Sequence, residues 1–415
     1  MLIASRRFLP LFTVQMLNAL NDNLFKNALV VLVIFRSAEG GAVLVALSGG
    51  IFLLPYLLIS ATAGQLADKI DKARLIWLSQ LAAVLLMVAG AGALLSGNVA
   101  ALLAVLFGLG AHAAFFGPLK YGILPELLAP ADVLRGNALV EAGTFAAILL
   151  GTIAGGVLIG GGNGPAIVGG AGVAVSLAGL AAAFAIPALP AADPALKLRA
   201  NVAAETVALI GAARANRRVW SSVLGLSWFW ALGATFLAQF PVLAQGEFHA
   251  DNRVVTLLLT AFALGVGLGS LAAGRLAPRA GTAPAAAVAL TLFTWGFAAL
   301  SLRPDAALWT TPSALLLSPS GLCAFLCLFG AAGCGGLYSV PLYATLQQAS
   351  DPVARARMVA TNNVVNAVFI VASAVAIAAL AGFGWRPWSI LVGTGCLNLV
   401  AAALLWRSLR ATMLP

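Results

Sequence analysis

Apolar runs long enough to cross a hydrocarbon core, about 20 residues each, recur near 8–35, 43–66, 74–95, 99–119, 137–160, 165–186, 219–245, 254–274, 282–302, 320–345, 358–382 and 388–406. These runs lack the period-two alternation of barrel strands, and they are too long for tilted strands. The pattern predicts an all-α membrane protein of twelve transmembrane helices. Residues 187–218 form the longest interruption, opening with PALPAADPALKLR and closing with the basic AARANRR. They divide the chain into a six-helix bundle over 1–186, a linker over 187–218 and a second six-helix bundle over 219–415. One short surface helix is expected within the linker, across 201–213.

The two halves echo each other. GQLADK, starting at Gly64, closes the second run, and GSLAAGR, starting at Gly269, closes the eighth, 205 residues later. Asn137 and Glu141 stand four apart in the fifth run, and Asn362 and Asn366 repeat that spacing in the eleventh. Two repeats of like topology are the construction of a secondary transporter whose cavity lies near the bilayer midplane.

The first run carries an anomaly: NALNDNLFKNALVVL, residues 18–32, holds four asparagines, an aspartate and a lysine. At about 100° per residue, Gln15, Asn18, Asp22 and Lys26 fall within one arc of about 80°. Thr13, Leu17, Leu20, Leu24, Ala28 and Val31 take the opposite face. Asp22 and Lys26 are one helical turn apart, and each charge isolated at mid-bilayer costs roughly 2.5 to 3.5 kcal/mol on insertion scales. Either an ion pair locks this helix to its neighbours, or the polar face lines a watery cavity that meets a charged substrate.

Composition strengthens the membrane reading: 62% of residues are hydrophobic and 9% are charged, with a mean hydropathy of +1.02. With the N-terminus placed in the cytoplasm, that side collects eighteen Lys and Arg, among them Arg6, Arg7, Lys72, Arg217, Arg218, Arg279 and Arg410, against Arg36, Arg253, Arg303 and Arg386 opposite. The asymmetry predicts that both termini are cytoplasmic. It also accounts for the net charge of +10 as topology with some attraction to anionic headgroups, not as a nucleic-acid footprint. Arg6 and Arg7 before an apolar run imitate a secretory signal, but the run is too long and too polar at its centre.

Other residues carry weaker signals. Glu141 faces either the cavity or a neighbouring backbone. Lys120 ends the fourth run, where it is either a headgroup anchor or a cavity cation; His112 reads as a packing residue. Trp228 and Trp230, two apart, cannot share a helix face, so at most one lines a cavity. Gly265, Gly267 and Gly269 sit in mid-span and do not follow a strand, so they suit close helix packing and not a dinucleotide loop. Cys323, Cys327, Cys334 and Cys396 have no His or carboxylate partners in sequence and read as small buried residues. No metal site or cofactor is expected. The sequence contains no Gly-Lys dipeptide, hence no phosphate-binding loop and no intrinsic ATPase.

Four strings, FLPLFTVQMLNALNDNLFKNALVVLVIF, HAAFFGPLKYGILPELL, GNALVEAGTFAAILLGTIAGG and LYSVPLYATLQQAS with MVATNNVVNAVF, resemble the lysophospholipid transporters of the major facilitator superfamily. GQLADKIDKAR resembles the signature that the superfamily carries between spans 2 and 3, with Asp71 standing where Gly is usual. The resemblance implies a flippase without enzymatic activity in the bacterial inner membrane. It would carry lysophosphatidylethanolamine and related lysolipids from the outer to the inner leaflet for reacylation. SWFWALGATFLAQFP looks nearer the branch fused to an acyltransferase and acyl-carrier-protein ligase, because no charge occurs from Ala231 to Val242. A functional link to a cytoplasmic acyltransferase or ligase follows from that branch. Asn18, Asp22, Lys26, Lys120, Asn137, Glu141, Trp228, Trp230, Asn362 and Asn366 are the expected substrate-binding residues. In the superfamily the signature aspartate, here Asp68, holds the cytoplasmic side closed against the start of span 11. Asp68, Lys69, Arg74, Arg355 and Arg357 are therefore the expected gating residues. Two other classes remain open at this point: a proton-coupled exporter of drugs or metabolites, with Asp22 or Glu141 taking the proton, and a non-transporting anchor that recruits acylation enzymes.

Overall fold

The computed structural model describes residues 2–36, 41–276, 281–300 and 309–410. Arg279, Arg303 and the side chains of Arg36 and Arg410 lie outside the described residues. The helices are α1 (Leu9–Arg36), α2 (Gly41–Lys69), α3 (Lys72–Ser96), α4 (Val99–Leu127), α5 (Val133–Ile159), α6 (Gly164–Ala183) and α7 (Val202–Ala215). They continue with α8 (Arg217–Phe248), α9 (Asn252–Arg275), α10 (Thr282–Ala299), α11 (Pro312–Leu317), α12 (Pro319–Ala349), α13 (Arg355–Gly382) and α14 (Pro387–Arg410). Among the described residues, eleven helices are long and apolar enough to cross a membrane. α1 is as long as the others at 28 residues, and its run of polar side chains sets it apart from those eleven. α7 and α11 are the two short helices. The surface helix expected over 201–213 is α7, capped by Asn201, whose side chain accepts from the Ala204 N–H at 3.0 Å; α11 had no signal of its own.

Two boundaries correct the sequence reading. α4 does not end near 119 but runs to Leu127 through Pro118 and Pro125, so Lys120 lies inside the helix and not at its end. A membrane helix tolerates such prolines where its neighbours re-satisfy the freed carbonyls. α5 starts at Val133, which places Asn137 and Glu141 one turn deeper than the apolar run indicated. Capping explains other ends: Asp71 starts α3 by accepting from the Ala73 N–H at 2.8 Å, and Gly97, at φ 62°, terminates it in the left-handed region that glycine enters without steric cost.

The chain forms two compact units. The first gathers Met1–Gly136, Ala146–Asn216 and Leu346–Ala367, and so includes the linker; the second gathers Asn137–Phe145, Arg217–Thr345 and Val368–Pro415. In the first unit α2 packs on α4, α3 on α4 and α6, and α1 on α6. Leu24, Phe25, Ala28, Leu29, Leu94 and Leu106 form part of its buried core. α5 approaches the same side of α1 through Gly151 and Gly155, where an added Cβ would collide with the Leu20 and Leu24 carbonyls. Small residues four apart permit this backbone approach. In the second unit α14 packs on α8 and α10. Gly265 and Gly269 lie against α12 at Phe329 and Gly333, while Gly267 makes no such close approach.

Candidate functional site

The polar residues of α1 separate into two groups. Asn21, buried, donates from Nδ2 to the Gly172 carbonyl at 3.2 Å and to Ser176 Oγ at 2.7 Å on α6. Asn27 donates to the Thr152 carbonyl of α5 at 2.6 Å, and Asn23 to its own helix at Ala19, 2.8 Å. These three amides hold the bundle together by interhelical or local hydrogen bonds. Asn18, Asp22 and Lys26 are instead half-buried. The Asn18 Nδ2 has no partner in the structure.

Asp22 lies within electrostatic range of both Lys26 and Lys120, yet among the described residues it forms no direct ion pair. Lys120 therefore belongs to the same constellation as the α1 charges, brought there by α4. The Lys26 Nζ stands 5.6 Å from the centroid of the Phe52 ring on α2, and the Lys120 Nζ 4.4 Å from that of Tyr121. Tyr56, one turn beyond Phe52, is in electrostatic range of Asp22. Sequence reasoning missed Phe52 and Tyr56. Their spacing of four was the available signal, but aromatic residues in an apolar run are too common to mark a site.

The second unit holds Asn137 and Glu141, both at 0% exposure, on the turns of α5 that precede Phe145. Phe145 stacks on Trp230 with centroids 6.5 Å apart, and the Trp230 indole donates to Tyr343 Oη at 2.9 Å. Trp228 points elsewhere, donating to Asn398 Oδ1 at 2.8 Å. Asn398 in turn donates to the Ala287 carbonyl and Thr291 Oγ1, a network that joins α8, α10 and α14. In the first unit Asn362 is buried with neither amide atom hydrogen-bonded, and Asn366 is also buried.

A second constellation sits in the first unit where α2 turns into α3. Asp68, at 0% exposure, accepts from the backbone N–H groups of Ala356 at 3.0 Å and Arg357 at 3.1 Å, and from Arg357 Nε at 3.0 Å. A buried carboxylate thus takes the free N–H groups at the start of α13, where the helix dipole favours an anion. Gly64 permits the approach, because an added Cβ there would lie 2.7 Å from Ala360 Cβ and 3.0 Å from Arg357 Cα. Arg357 also reaches Asp193 of the linker at 3.3 Å.

The linker is fastened further by Lys69 Nζ to the Leu196 carbonyl at 2.9 Å and by paired bonds between Gln65 and the Arg199 backbone. Arg355 donates to the Gln347 carbonyl at 2.9 Å, while Arg74 is exposed. Lys72, 1% exposed, pairs with Glu126 at 2.7 Å; neither was singled out for this region from the sequence. The signature's departure at Asp71 also has an explanation: φ is −50° there, so no glycine is required and a capping carboxylate fits.

Among the described residues, twelve long helices, two half-buried lysines in electrostatic range of an aspartate, and a carboxylate holding a helix start are the features of a membrane transport protein. The profile of the Major Facilitator Superfamily matches residues 11–302, and the chain belongs to that superfamily of secondary transporters. Among relatives, it is 29% identical over 411 residues to "Lysophospholipid transporter LplT" of Klebsiella pneumoniae subsp. pneumoniae, covering 97% of this chain and 96% of that protein. The protein of the same name from Serratia proteamaculans is 33% identical over 229 residues, 54% of this chain and 55% of that one. The fold is similar to the human organic anion transporter MFSD10, with TM-score 0.73, 16% identity and coverage of 96% and 99%. It is also similar to the transporter FucP in the outward conformation, with TM-score 0.70, 14% identity and coverage of 96% and 97%.

Proposed function

We propose that this chain is a lysophospholipid flippase of the bacterial inner membrane, with both termini in the cytoplasm. Its cargo is lysophosphatidylethanolamine and related lysolipids, moved by alternating access from the outer to the inner leaflet, where an acyltransferase or ligase restores the second chain. The observation that carries this reading is the mid-span constellation of Asp22, Lys26 and Lys120. Two cations and one anion, ringed by aromatic and aliphatic side chains, suit a headgroup that carries a phosphate and an ammonium on a single acyl chain. A small hydrophilic solute needs a more fully polar lining. The whole-length similarity to proteins named lysophospholipid transporters supports the same reading.

Lys26 and Lys120 receive the phosphate, and Asp22 receives the ammonium. Asn362, with its open amide, contributes a further polar contact, and Glu141 is a separate substrate-recognition residue of the second unit. Asp68 is the latch of the cytoplasmic side: its grip on the α13 start and Arg357 favours the form closed there. Fluorescent lysophosphatidylethanolamine in proteoliposomes tests the reading. Protein-dependent flipping that Asp22→Asn abolishes is expected. A pH-driven solute flux without lipid movement would replace the reading with a proton-coupled exporter, and neither activity would leave a non-transporting anchor.

A further inference from the structure

We propose that the Phe52 and Tyr56 rings form an ammonium subsite, and that Lys26 occupies it until a lysolipid headgroup arrives. The proposal rests on the lysolipid reading above and adds a specificity rule to it. The two rings lie on one face of α2 with centroids 6.3 Å apart and planes inclined by 47°. Both side chains are half-buried. The α2 backbone is fixed at this point, since a Cβ on Gly110 of α4 would lie 3.0 Å from the Phe52 carbonyl carbon and 3.1 Å from its Cα.

The Lys26 ammonium stands 5.6 Å from the Phe52 centroid, inside the range of about 6 Å in which a ring face attracts a cation. Asp22 is within electrostatic range of Lys26 and of Tyr56. The ring face thus already holds a primary ammonium, with a carboxylate near it. When a phosphate enters, Lys26 gains a stronger partner than the ring and turns toward it. The vacated face and Asp22 together then fit the headgroup's own primary ammonium, by ring attraction and by hydrogen bonding to the carboxylate.

A choline headgroup's phosphate draws Lys26 away in the same manner, but its quaternary ammonium has no N–H for Asp22 and gains the ring attraction alone. The site therefore selects ethanolamine over choline, and Asp22 is the element that enforces the choice. A glycerol headgroup carries no cation and is indifferent to the rings.

The test measures binding of three lysolipids with one acyl chain and ethanolamine, choline or glycerol headgroups to the purified full chain. Competition against a fluorescent lysolipid gives the affinities. Wild type is expected to favour ethanolamine over choline about tenfold, a difference of about 1.4 kcal/mol. Asp22→Asn, with Asp22→Ala as a second variant should the first misfold, is expected to lose ethanolamine affinity and erase that preference. Phe52→Leu is expected to weaken ethanolamine binding at least fivefold while glycerol binding stays within twofold. An Asp22 variant that keeps the tenfold ratio, or a Phe52→Leu loss equal for ethanolamine and glycerol, overturns the subsite while leaving the lysolipid reading intact. A wild-type protein that binds none of the three overturns that reading and the subsite with it.

Discussion

Asp68 and Asp22 are both aspartates within long apolar helices of the same compact unit, and their surroundings differ in one respect. Asp68 is engaged at both oxygens: two backbone N–H groups and a guanidinium donate to it at 3.0–3.1 Å. Asp22 has lysines in electrostatic range but none in contact. A carboxylate with both oxygens engaged by short hydrogen bonds stabilises one arrangement of helices, whereas one held among distant cations keeps its capacity for a ligand. The same contrast divides α1 internally, since Asn21 and Asn27 bond to α6 and α5 while the Asn18 amide does not. Polarity inside a membrane protein thus serves structure or transport according to whether its hydrogen bonds are already made.

The sharpest way to break the contrast is at Asp22. Asp22→Asn is expected to cut lysolipid flipping in proteoliposomes by two orders of magnitude while the thermal midpoint in detergent stays equal or rises, because an insertion penalty of roughly 2.5 to 3.5 kcal/mol is removed. A fall in the midpoint would show that Asp22 is a structural partner after all. Asp68→Asn should have a different signature. Hydrogen bonds to a charged group are each worth about 1.5 to 3 kcal/mol, so weakening this set should lengthen spin-label distances between the α2–α3 turn and the α13 start. Transport should slow about fivefold to tenfold with lysolipid affinity unchanged. An unaltered distance distribution would reduce Asp68 to a buried packing group.

Smaller effects sharpen the division. Glu141→Gln should lower flipping of ethanolamine lysolipid about threefold more than that of glycerol lysolipid; equal losses would assign Glu141 to packing. Asn21→Leu should cost about 0.6 to 1.7 kcal/mol of stability, the range for hydrogen bonds between membrane helices, with flipping per folded molecule preserved in the same vesicle assay. Asp71→Gly, which restores the residue usual in the superfamily signature, should change the midpoint by only a few tenths of a kcal/mol, because glycine caps helices nearly as well.

These contrasts were unequally legible in the sequence. Runs of about 20 apolar residues have one solution in lipid, a hydrogen-bonded helix, so the helices could be placed within a few residues. Their ends were harder: the fourth apolar run stops near 119, yet α4 continues to Leu127. Asp22 and Lys26 were conspicuous because charges are costly in such a run. The division among the asparagines was not, since one-dimensional spacing cannot say which amide meets Ser176. Phe52, Tyr56 and the Lys72–Glu126 pair needed the packing of α2 on α4 and of α3 on α4 to become visible.

The fastened linker has a practical consequence for cutting the chain. Asp193, Leu196 and Arg199 are tied to α2, so residues 193–216 belong to the first unit while being continuous with α8. A break placed between Ala188 and Pro190 would leave this strap on the second fragment, as a tether that recognises the first. Two co-expressed fragments would then find each other at the raised local concentration a tether provides, and a break just after Ala215 would forfeit that advantage.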